Sequence, residues 1–177
     1  MNKFKSCTFF VLLGALLLAH VGAPAVAAPL TPTLTSKSDG FSVWLPGKPK
    51  LSQQSRQVAR FGTMTANIYT VSAPPLVYLV MPMNLPGNLT GVDRKTFLDG
   101  IQRGFTMSSK AQLVSSQSIR LNGLLGRELV VKVGPNLIRG RFFGKGNKAY
   151  QVLAISPQSG SKNPQIAKVL NSFRILR

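Results

Sequence analysis

The feature that most constrains the fold is a series of alternating apolar segments between residues 111 and 156. Apolar and polar residues alternate through four segments, which are separated by turn sequences at 122–123 (Asn-Gly), 134–136 (Gly-Pro-Asn) and 144–147 (Gly-Lys-Gly-Asn). Alternation with a period of two is typical of strands with one buried face, and Asn-Gly is typical of two-residue β-hairpins. This part of the chain therefore predicts a four-stranded antiparallel meander.

The first half of the chain indicates further strands. Apolar residues alternate through residues 41–45, and Pro46 then ends the segment. Residues 52–71 have the pattern of a hairpin that turns near residues 61–62. Residues 76–83 are continuously apolar, as expected for a strand that is covered on both faces.

Two segments have helical periodicity instead. From Asp93 onward, apolar residues fall on one helical face and charged residues fall on the other. Pro164 stands at the first position of a second amphipathic segment that ends near Phe173. The order of strands, helix, strands and helix predicts an α+β fold, in which helices pack on an antiparallel β-sheet.

The N-terminal segment has the three parts of a secretory signal peptide. Lys3 and Lys5 precede an apolar core at residues 9–18, and small residues follow up to Ala27. The core is shorter than the roughly 20 residues that a membrane-spanning helix needs. We therefore predict that residues 1–27 are a signal peptide, that cleavage follows Ala27, and that the protein is exported.

The remaining chain is predicted to contain a leader and one domain. Residues 28–38 are rich in Pro, Thr and Ser, which favours a flexible leader. Residues 39–177 are predicted to form the single α+β domain. A domain of this size buries enough apolar surface to fold without disulfide bonds.

Composition narrows the range of functions. The chain has 22 Lys and Arg against 4 Asp and Glu, while 44% of its residues are hydrophobic. This composition is that of a folded basic protein and not of a disordered polycation. Cleavage would remove Lys3 and Lys5, and so would lower the net charge from +18 to +16.

Cleavage would also remove Cys7 and His20, the only Cys and His of the chain. A mature chain without them has no Ser-His or Cys-His nucleophile and lacks the usual ligands of zinc and copper. The four acids are at least six residues apart, so the sequence shows no cluster for calcium or magnesium: Asp39, Asp93, Asp99 and Glu128. We expect no metal, no cofactor and no catalytic activity.

One alternative keeps an enzymatic function. Ser108, Ser109 and Lys110 are adjacent in the sequence and contain the residue types of a Ser/Lys hydrolase. Adjacency is not the geometry that a nucleophile and its base require, so this alternative needs a concave site that brings the lysine to a serine.

A second alternative is a periplasmic binding module for a small apolar or anionic ligand. Such a module would hold its ligand in a pocket between sheet and helix. The aromatic residues available to line that pocket are Trp44, Tyr69, Tyr78 and Phe142.

Basic residues concentrate in the meander, and we predict that they form a surface for an anionic partner. Strand alternation places five of them on or beside one face of the sheet: Lys132, Arg139, Arg141, Lys145 and Lys148. If the turn at 144–147 leaves Phe143 opposite Lys148, then Tyr150 faces Arg141 and adds an aromatic ring to this patch. The competing interpretation is a solvated face that serves solubility.

Glu128 is the only acid in the meander. A four-residue turn that begins at Val133 would place Glu128 opposite Arg141 on the neighbouring strand. Because oppositely charged cross-strand neighbours stabilise a sheet, we predict that Glu128 and Arg141 form a structural ion pair.

The expected partners follow from charge and compartment. An exported protein seldom meets nucleic acid, and the sequence contains no recognised nucleic-acid module. We therefore expect the basic surface to bind an acidic protein complex, or an anionic membrane or cell-envelope surface.

Four segments carry a resemblance to a known family: GFSVWLP at the start of the domain, GRELVVKV and RGRFFGKGNKAYQVLAIS in the meander, and AKVLNSFRI at the end. They resemble the PsbP-like family, the extrinsic proteins of photosystem II and their bacterial relatives. The resemblance spans residues 39–176 and implies an αβα sandwich around an antiparallel sheet. It also implies a lumenal or periplasmic accessory protein that docks electrostatically on a larger complex.

Overall fold

The computed structural model describes residues 31–58, 62–87, 91–108 and 111–176. The predicted signal peptide and its cleavage site lie outside these residues, as do Ser109 and Lys110 of the Ser/Lys alternative. None of the helices in the described ranges is long and apolar enough to cross a membrane.

The described residues form ten strands, two α-helices and a short 3₁₀ helix at Gln158–Gly160. The strands are β1 (Leu34–Ser36), β2 (Phe41–Val43), β3 (Lys50–Val58), β4 (Gly62–Ala73), β5 (Leu76–Asn84), β6 (Gln112–Leu121), β7 (Leu124–Val133), β8 (Asn136–Lys145), β9 (Lys148–Pro157) and β10 (Arg174–Ile175). The helices are α1 (Arg94–Ser108) and α2 (Pro164–Ser172).

Seven strands form one antiparallel sheet in the order β3-β4-β5-β9-β8-β7-β6. The predicted meander is confirmed as β6 to β9, and the predicted hairpin near residues 61–62 is confirmed as β3 and β4. The two halves of the chain meet where β5 pairs with β9 at the centre of the sheet. The predicted α+β class is therefore confirmed.

A second sheet of three short strands joins the two ends of the domain. β2 lies at its centre, with β1 on one side and β10 on the other. The prediction of a flexible leader is wrong for Leu34–Ser36, because these residues pair with residues 41–43 across an antiparallel ladder. Thr33 extends this contact, since its backbone N donates to the Val43 carbonyl. The folded domain thus begins before Asp39.

The two helices pack on opposite faces of the large sheet. On one face, Leu98 of α1 packs with a cluster from β7, β8 and β9: Leu129, Phe142 and Leu153. On the other face, α2 and the small sheet enclose the larger core, which includes Phe41, Tyr78, Val152, Val169 and Phe173. Helices on both faces of an antiparallel sheet give the domain the layers of an αβα sandwich.

Side chains just before each helix satisfy backbone N–H groups in its first turn. A carboxylate oxygen of Asp93 accepts a hydrogen bond from the Thr96 backbone N at 2.7 Å, and this bond lowers the pKa of Asp93. The side-chain oxygen of Asn163 accepts from the Gln165 backbone N at 2.9 Å. These caps explain why both predicted helices begin where they do.

Two glycines give the packing a direct test. A Cβ added at Gly126 would meet the Phe143 ring and lie 2.8 Å from the Phe142 carbonyl oxygen, whereas a Cβ at Gly100 of α1 would meet nothing within 4 Å. We predict that Gly126→Ala lowers the free energy of unfolding by about 2 kcal/mol through overpacking. Gly100→Ala should raise it by about 1 kcal/mol, because alanine favours the helix. Urea unfolding measures both changes, and a stable Gly126→Ala variant would contradict this packing.

Candidate functional site

The five basic residues predicted to bind a partner lie on the sheet face that α2 and the small sheet cover. Register places Arg139 opposite Val130, and Arg141 opposite Glu128. Lys145 lies opposite Lys148, since residues 146–147 form a two-residue turn between β8 and β9.

This tight turn corrects the predicted register of β8 and β9. Tyr150 lies opposite Phe143 and not opposite Arg141. Both rings are buried, with exposures of 3% for Tyr150 and 2% for Phe143, and both belong to the larger core. The predicted basic and aromatic patch is therefore not an open surface, because its aromatic members pack under α2.

Glu128 lies at the centre of the basic residues and is 4% exposed. Its Oε2 lies 2.7 Å from Arg141 Nε, and its Oε1 lies 3.1 Å from Arg139 Nε. Gln117 on β6 donates a further hydrogen bond to Oε1 at 3.3 Å. Glu128 thus pairs with Arg141 across the strands, and it also holds a second arginine.

Three of the five basic residues hydrogen-bond to backbone carbonyls of the covering layer. Arg141 Nη1 donates to the Leu170 carbonyl of α2 at 2.9 Å. Lys145 Nζ donates to the Leu176 carbonyl at 3.2 Å, and Lys148 Nζ donates to the Ser38 carbonyl at 2.7 Å. These side chains fasten α2, the C-terminal strand and the β1–β2 connection to the large sheet.

Two adjoining cavities lie beside α2 and the C-terminal strand. We call the two cavities together the basic groove. The first, of about 360 Å³, is lined by Ile119, Arg120, Leu121, Arg141, Phe143, Leu170, Asn171 and Phe173. The second, of about 560 Å³, is lined by Arg94, Leu121, Asn122, Gly123, Leu124, Lys145 and Ile175. Leu121 lines both cavities, so the groove combines an apolar floor with four cationic side chains and has no acidic lining residue.

Local structure positions the two arginines that the sequence did not indicate. Arg94 is the first residue of α1, next to the Asp93 cap, and its Nη1 donates to the Gly144 carbonyl. Arg120 lies near the end of β6, where Nη1 donates to the Gly123 carbonyl at 3.0 Å. Asn122 and Gly123 both have positive φ, as a two-residue hairpin turn of this type requires.

The lining residues that come from the sequence prediction are Arg141 and Lys145. Lys132, Arg139 and Lys148 lie on the same sheet face but line neither cavity of the groove. Arg94 lies in the segment that the sequence predicts to be a helix, and only the tertiary contact between α1 and the end of β8 brings it to the groove. The Asn-Gly turn at 122–123 was the one sequence signal that indicated the end of β6, where Arg120 lies.

None of the other three acids lines the groove, and each has its own partner. Asp39 is buried and accepts hydrogen bonds from Tyr69 Oη at 2.6 Å and Asn67 Nδ2 at 2.9 Å. Burial and the bond to Asp39 raise the pKa of Tyr69. Asp99 lies 2.5 Å from Arg127 Nη1, and this contact lowers the pKa of Asp99 and ties α1 to β7. Asp93 caps α1.

The four aromatic residues of the small-ligand alternative do not meet in one pocket. Tyr69 and Tyr78 belong to the larger core, whereas Phe142 lies in the cluster on the opposite face of the sheet. Trp44 packs beneath Lys168 of α2, whose Nζ lies 3.8 Å from the ring centroid. Within the described residues, no group of three or more His, Cys, Asp or Glu is placed to hold a metal ion.

Comparison with known proteins identifies the fold. No family model matches the chain, and no curated protein matches it. Among solved structures, the chain is similar to cyanobacterial PsbP (CyanoP) from Synechocystis sp. PCC 6803, with a TM-score of 0.53. The match covers 80% of this chain and 90% of that chain, and the sequence identity is 12%. The fold is PsbP-like.

A second solved structure, from Bacteroides thetaiotaomicron, matches less well, with a TM-score of 0.34 and 14% identity. The match covers 78% of this chain and 46% of that chain. The PsbP-like fold agrees with the αβα layers described above, and the basic groove lies at one end of its sandwich.

The pairing of Glu128 gives a prediction about stability. Glu128→Gln keeps the shape of the side chain but leaves two guanidinium groups without their carboxylate, so we expect the free energy of unfolding to fall by about 2 kcal/mol. Arg139 is 44% exposed in its side chain, and Arg139→Gln should change stability by less than about 1 kcal/mol. Urea unfolding compares the two variants, and equal losses would contradict a central role for Glu128.

Proposed function

We propose that this protein is an exported, non-catalytic accessory domain that docks on an acidic protein surface through the basic groove. The observation that carries the proposal is the lining of the groove, where Arg94, Arg120, Arg141 and Lys145 surround an apolar floor and no acid is a lining residue. Arg141 is paired with Glu128, which leaves the other three cations without an ion-pair partner among the described residues. A charge arrangement of one sign in a concave site attracts oppositely charged partners and fixes their orientation.

The cations keep donors for a partner. A lysine has three N–H donors and an arginine has five, and the hydrogen bonds to Gly123 and Leu176 use one donor each of Arg120 and Lys145. Both side chains are exposed. Carboxylates of a partner can therefore bind them without breaking the contacts that fasten the covering layer.

The shape of the groove favours a protein segment over a lipid surface. A bilayer presents a flat field of headgroups, whereas these cations surround two adjoining cavities with an apolar floor of residues such as Leu121, Leu124 and Ile175. An acidic segment that carries an apolar side chain would fill the cavity and pair with its rim. Binding to an anionic membrane is the competing outcome of the experiment below.

Export and lack of catalysis are part of the proposal. The N-terminal pattern of charge, apolar core and small residues supports export. The structural engagement of all four acids supports a non-catalytic role, because each has a partner that explains its position. The PsbP-like fold is compatible with an accessory protein.

Charge-matched variants test the groove. Poly-L-glutamate is the acidic probe, and vesicles of phosphatidylglycerol are the membrane probe. We expect Arg120→Gln with Lys145→Gln to weaken poly-L-glutamate binding by about tenfold at low salt, because rim cations supply the attraction. Lys50→Gln with Arg56→Gln removes the same charge from β3, far from the groove, and should weaken binding by less than about threefold. Added salt should weaken binding of the unaltered protein.

Fluorescence anisotropy with labelled poly-L-glutamate measures these affinities, and co-sedimentation measures vesicle binding. Equal losses for the two double variants would show diffuse attraction by net charge and would overturn the groove as the site. If the protein binds only the vesicles, and binds them in a salt-sensitive way, then its partner is a membrane surface and not an acidic protein.

A further inference from the structure

A small cavity lies between the large sheet and the first turn of α2, and we call it the serine cavity. Its volume is about 300 Å³, at the small end of the range for ligand sites. The lining residues come from β7, β8, β9 and the start of α2: Val130, Leu137, Arg139, Ser156, Ser161, Lys162 and Ile166. The serine cavity shares none of these residues with the basic groove.

Strand register brings the lining residues of the sheet together. Leu137 of β8 lies opposite Ser156 of β9, and Arg139 of β8 lies opposite Val130 of β7. Leu137 and Arg139 are two residues apart on one strand, so their side chains leave the same face. The buried side chain of Ile166 in α2 covers this face. Regular secondary structure, and not a loop, therefore fixes most of the cavity.

Ser156 carries a hydroxyl without a partner. The residue is 2% exposed, and its Oγ makes no side-chain hydrogen bond among the described residues. Within those residues, Tyr78 Oη is the one unpaired side-chain polar atom that is fully enclosed. Ser156 Oγ is therefore not sealed in the core, and it faces the cavity that its residue lines. Since buried polar groups are normally hydrogen-bonded, this hydroxyl is available to a ligand.

Positive charge borders the cavity. Arg139 Nε lies 3.1 Å from Glu128 Oε1, whereas its two Nη atoms have no partner among the described residues. Lys162 is exposed and makes no ion pair in the described part of the chain. Lys132 adds a further charge from the same face of β7. Glu128 compensates no more than one of these three positive charges, so the cavity attracts an anion.

The first turn of α2 adds to this potential. Pro164 has no N–H, and the Asn163 side chain already accepts from the Gln165 backbone N. The helix therefore offers the positive end of its dipole and not a free donor in these positions. Hydrogen bonds to a bound anion come instead from the serine hydroxyls and the two basic side chains.

The lining selects one class of anion. Val130, Leu137 and Ile166 give the cavity an aliphatic wall, which an inorganic ion would leave unfilled. An uncharged apolar molecule would leave the Ser156 hydroxyl without a partner. A carboxylate on a short aliphatic chain satisfies both parts of the cavity, and guanidinium groups pair with planar carboxylates through two parallel hydrogen bonds.

We propose that the serine cavity binds a short-chain aliphatic carboxylate. Arg139 and Lys162 pair with the carboxylate, Ser156 donates a hydrogen bond to it, and the aliphatic wall contacts the chain. The aromatic residues that the sequence offered for a small-ligand pocket are not among the lining residues. The site is independent of the proposed docking function, because it lies at the opposite end of α2 from the basic groove.

Backbone amide NMR of the full chain during titration with hexanoate tests the site. We expect saturable shifts that are largest at residues 130, 137–139, 156 and 161–166. Hexan-1-ol has the chain without the charge, and inorganic phosphate has charge without the chain. Each should bind at least about tenfold more weakly than hexanoate. Equal affinity for either control, or largest shifts in the basic groove, would overturn the proposal.

Substitutions separate the proposed contacts from general attraction by charge. Ser156→Ala removes a hydroxyl that has no partner in the protein, so it should weaken hexanoate binding about fivefold without lowering stability to urea. Arg139→Gln should weaken binding by about tenfold. Lys162→Gln should weaken it by about threefold, whereas Lys48→Gln, which removes the same charge outside the lining, should leave it unchanged.

Two results from the variants would overturn the site. The first is folded Ser156→Ala and Arg139→Gln proteins that bind hexanoate as tightly as their parent. The second is an equal loss for Lys48→Gln and Lys162→Gln, because it would show that net charge alone attracts the carboxylate.

Discussion

Arg141 connects the large sheet to α2, which covers it, and Glu128 holds Arg141 in place. Arg141 Nε binds the buried carboxylate at 2.7 Å, and its Nη1 reaches the Leu170 carbonyl near the end of α2. A buried carboxylate is costly unless it is paired and hydrogen-bonded, and Glu128 receives donors from β6 and β8. With the end of α2 held in place, Phe173 stacks on Phe143 with ring centroids 6.0 Å apart. These two rings form part of the groove floor, so the groove depends on this contact.

The protein uses backbone carbonyls where other proteins use carboxylates. With 4 acids for 22 bases, few cations can find an acidic partner. Lys145, Lys148 and Arg94 instead donate to main-chain oxygens of Leu176, Ser38 and Gly144. A carbonyl satisfies the donor but leaves the positive charge uncompensated. The domain therefore gains fixed tertiary contacts and keeps a strongly positive potential near the groove.

Local sequence signals predicted the elements whose partners are near in the chain. Asn-Gly at 122–123 and the turn after Val133 determined two hairpins, and the second placed Glu128 opposite Arg141. Turn length was the limit of this reasoning, because Gly144 and Lys145 of the 144–147 segment continue β8 and so shift the register by two. The aromatic ring expected beside Arg141 is consequently in the core.

Contacts between distant segments could not be predicted from local patterns. β2 pairs with β10 across more than a hundred residues, and β1 pairs within a segment whose Pro, Thr and Ser content indicated a leader. The basic groove depends on such contacts, because Arg94 and Arg120 come from different elements and meet Lys145 only in the folded domain. The sequence indicated a basic surface for an anionic partner, and the fold determined which cations line the groove.

Backbone amide NMR during titration with poly-L-glutamate tests the central claim most directly, since it reports where the acidic chain binds without altering any residue. We predict that the largest shifts fall in three stretches around the groove: residues 119–124, 141–145 and 170–176. Shifts spread evenly over the basic residues of the whole surface, including those of β3, would contradict a defined docking site.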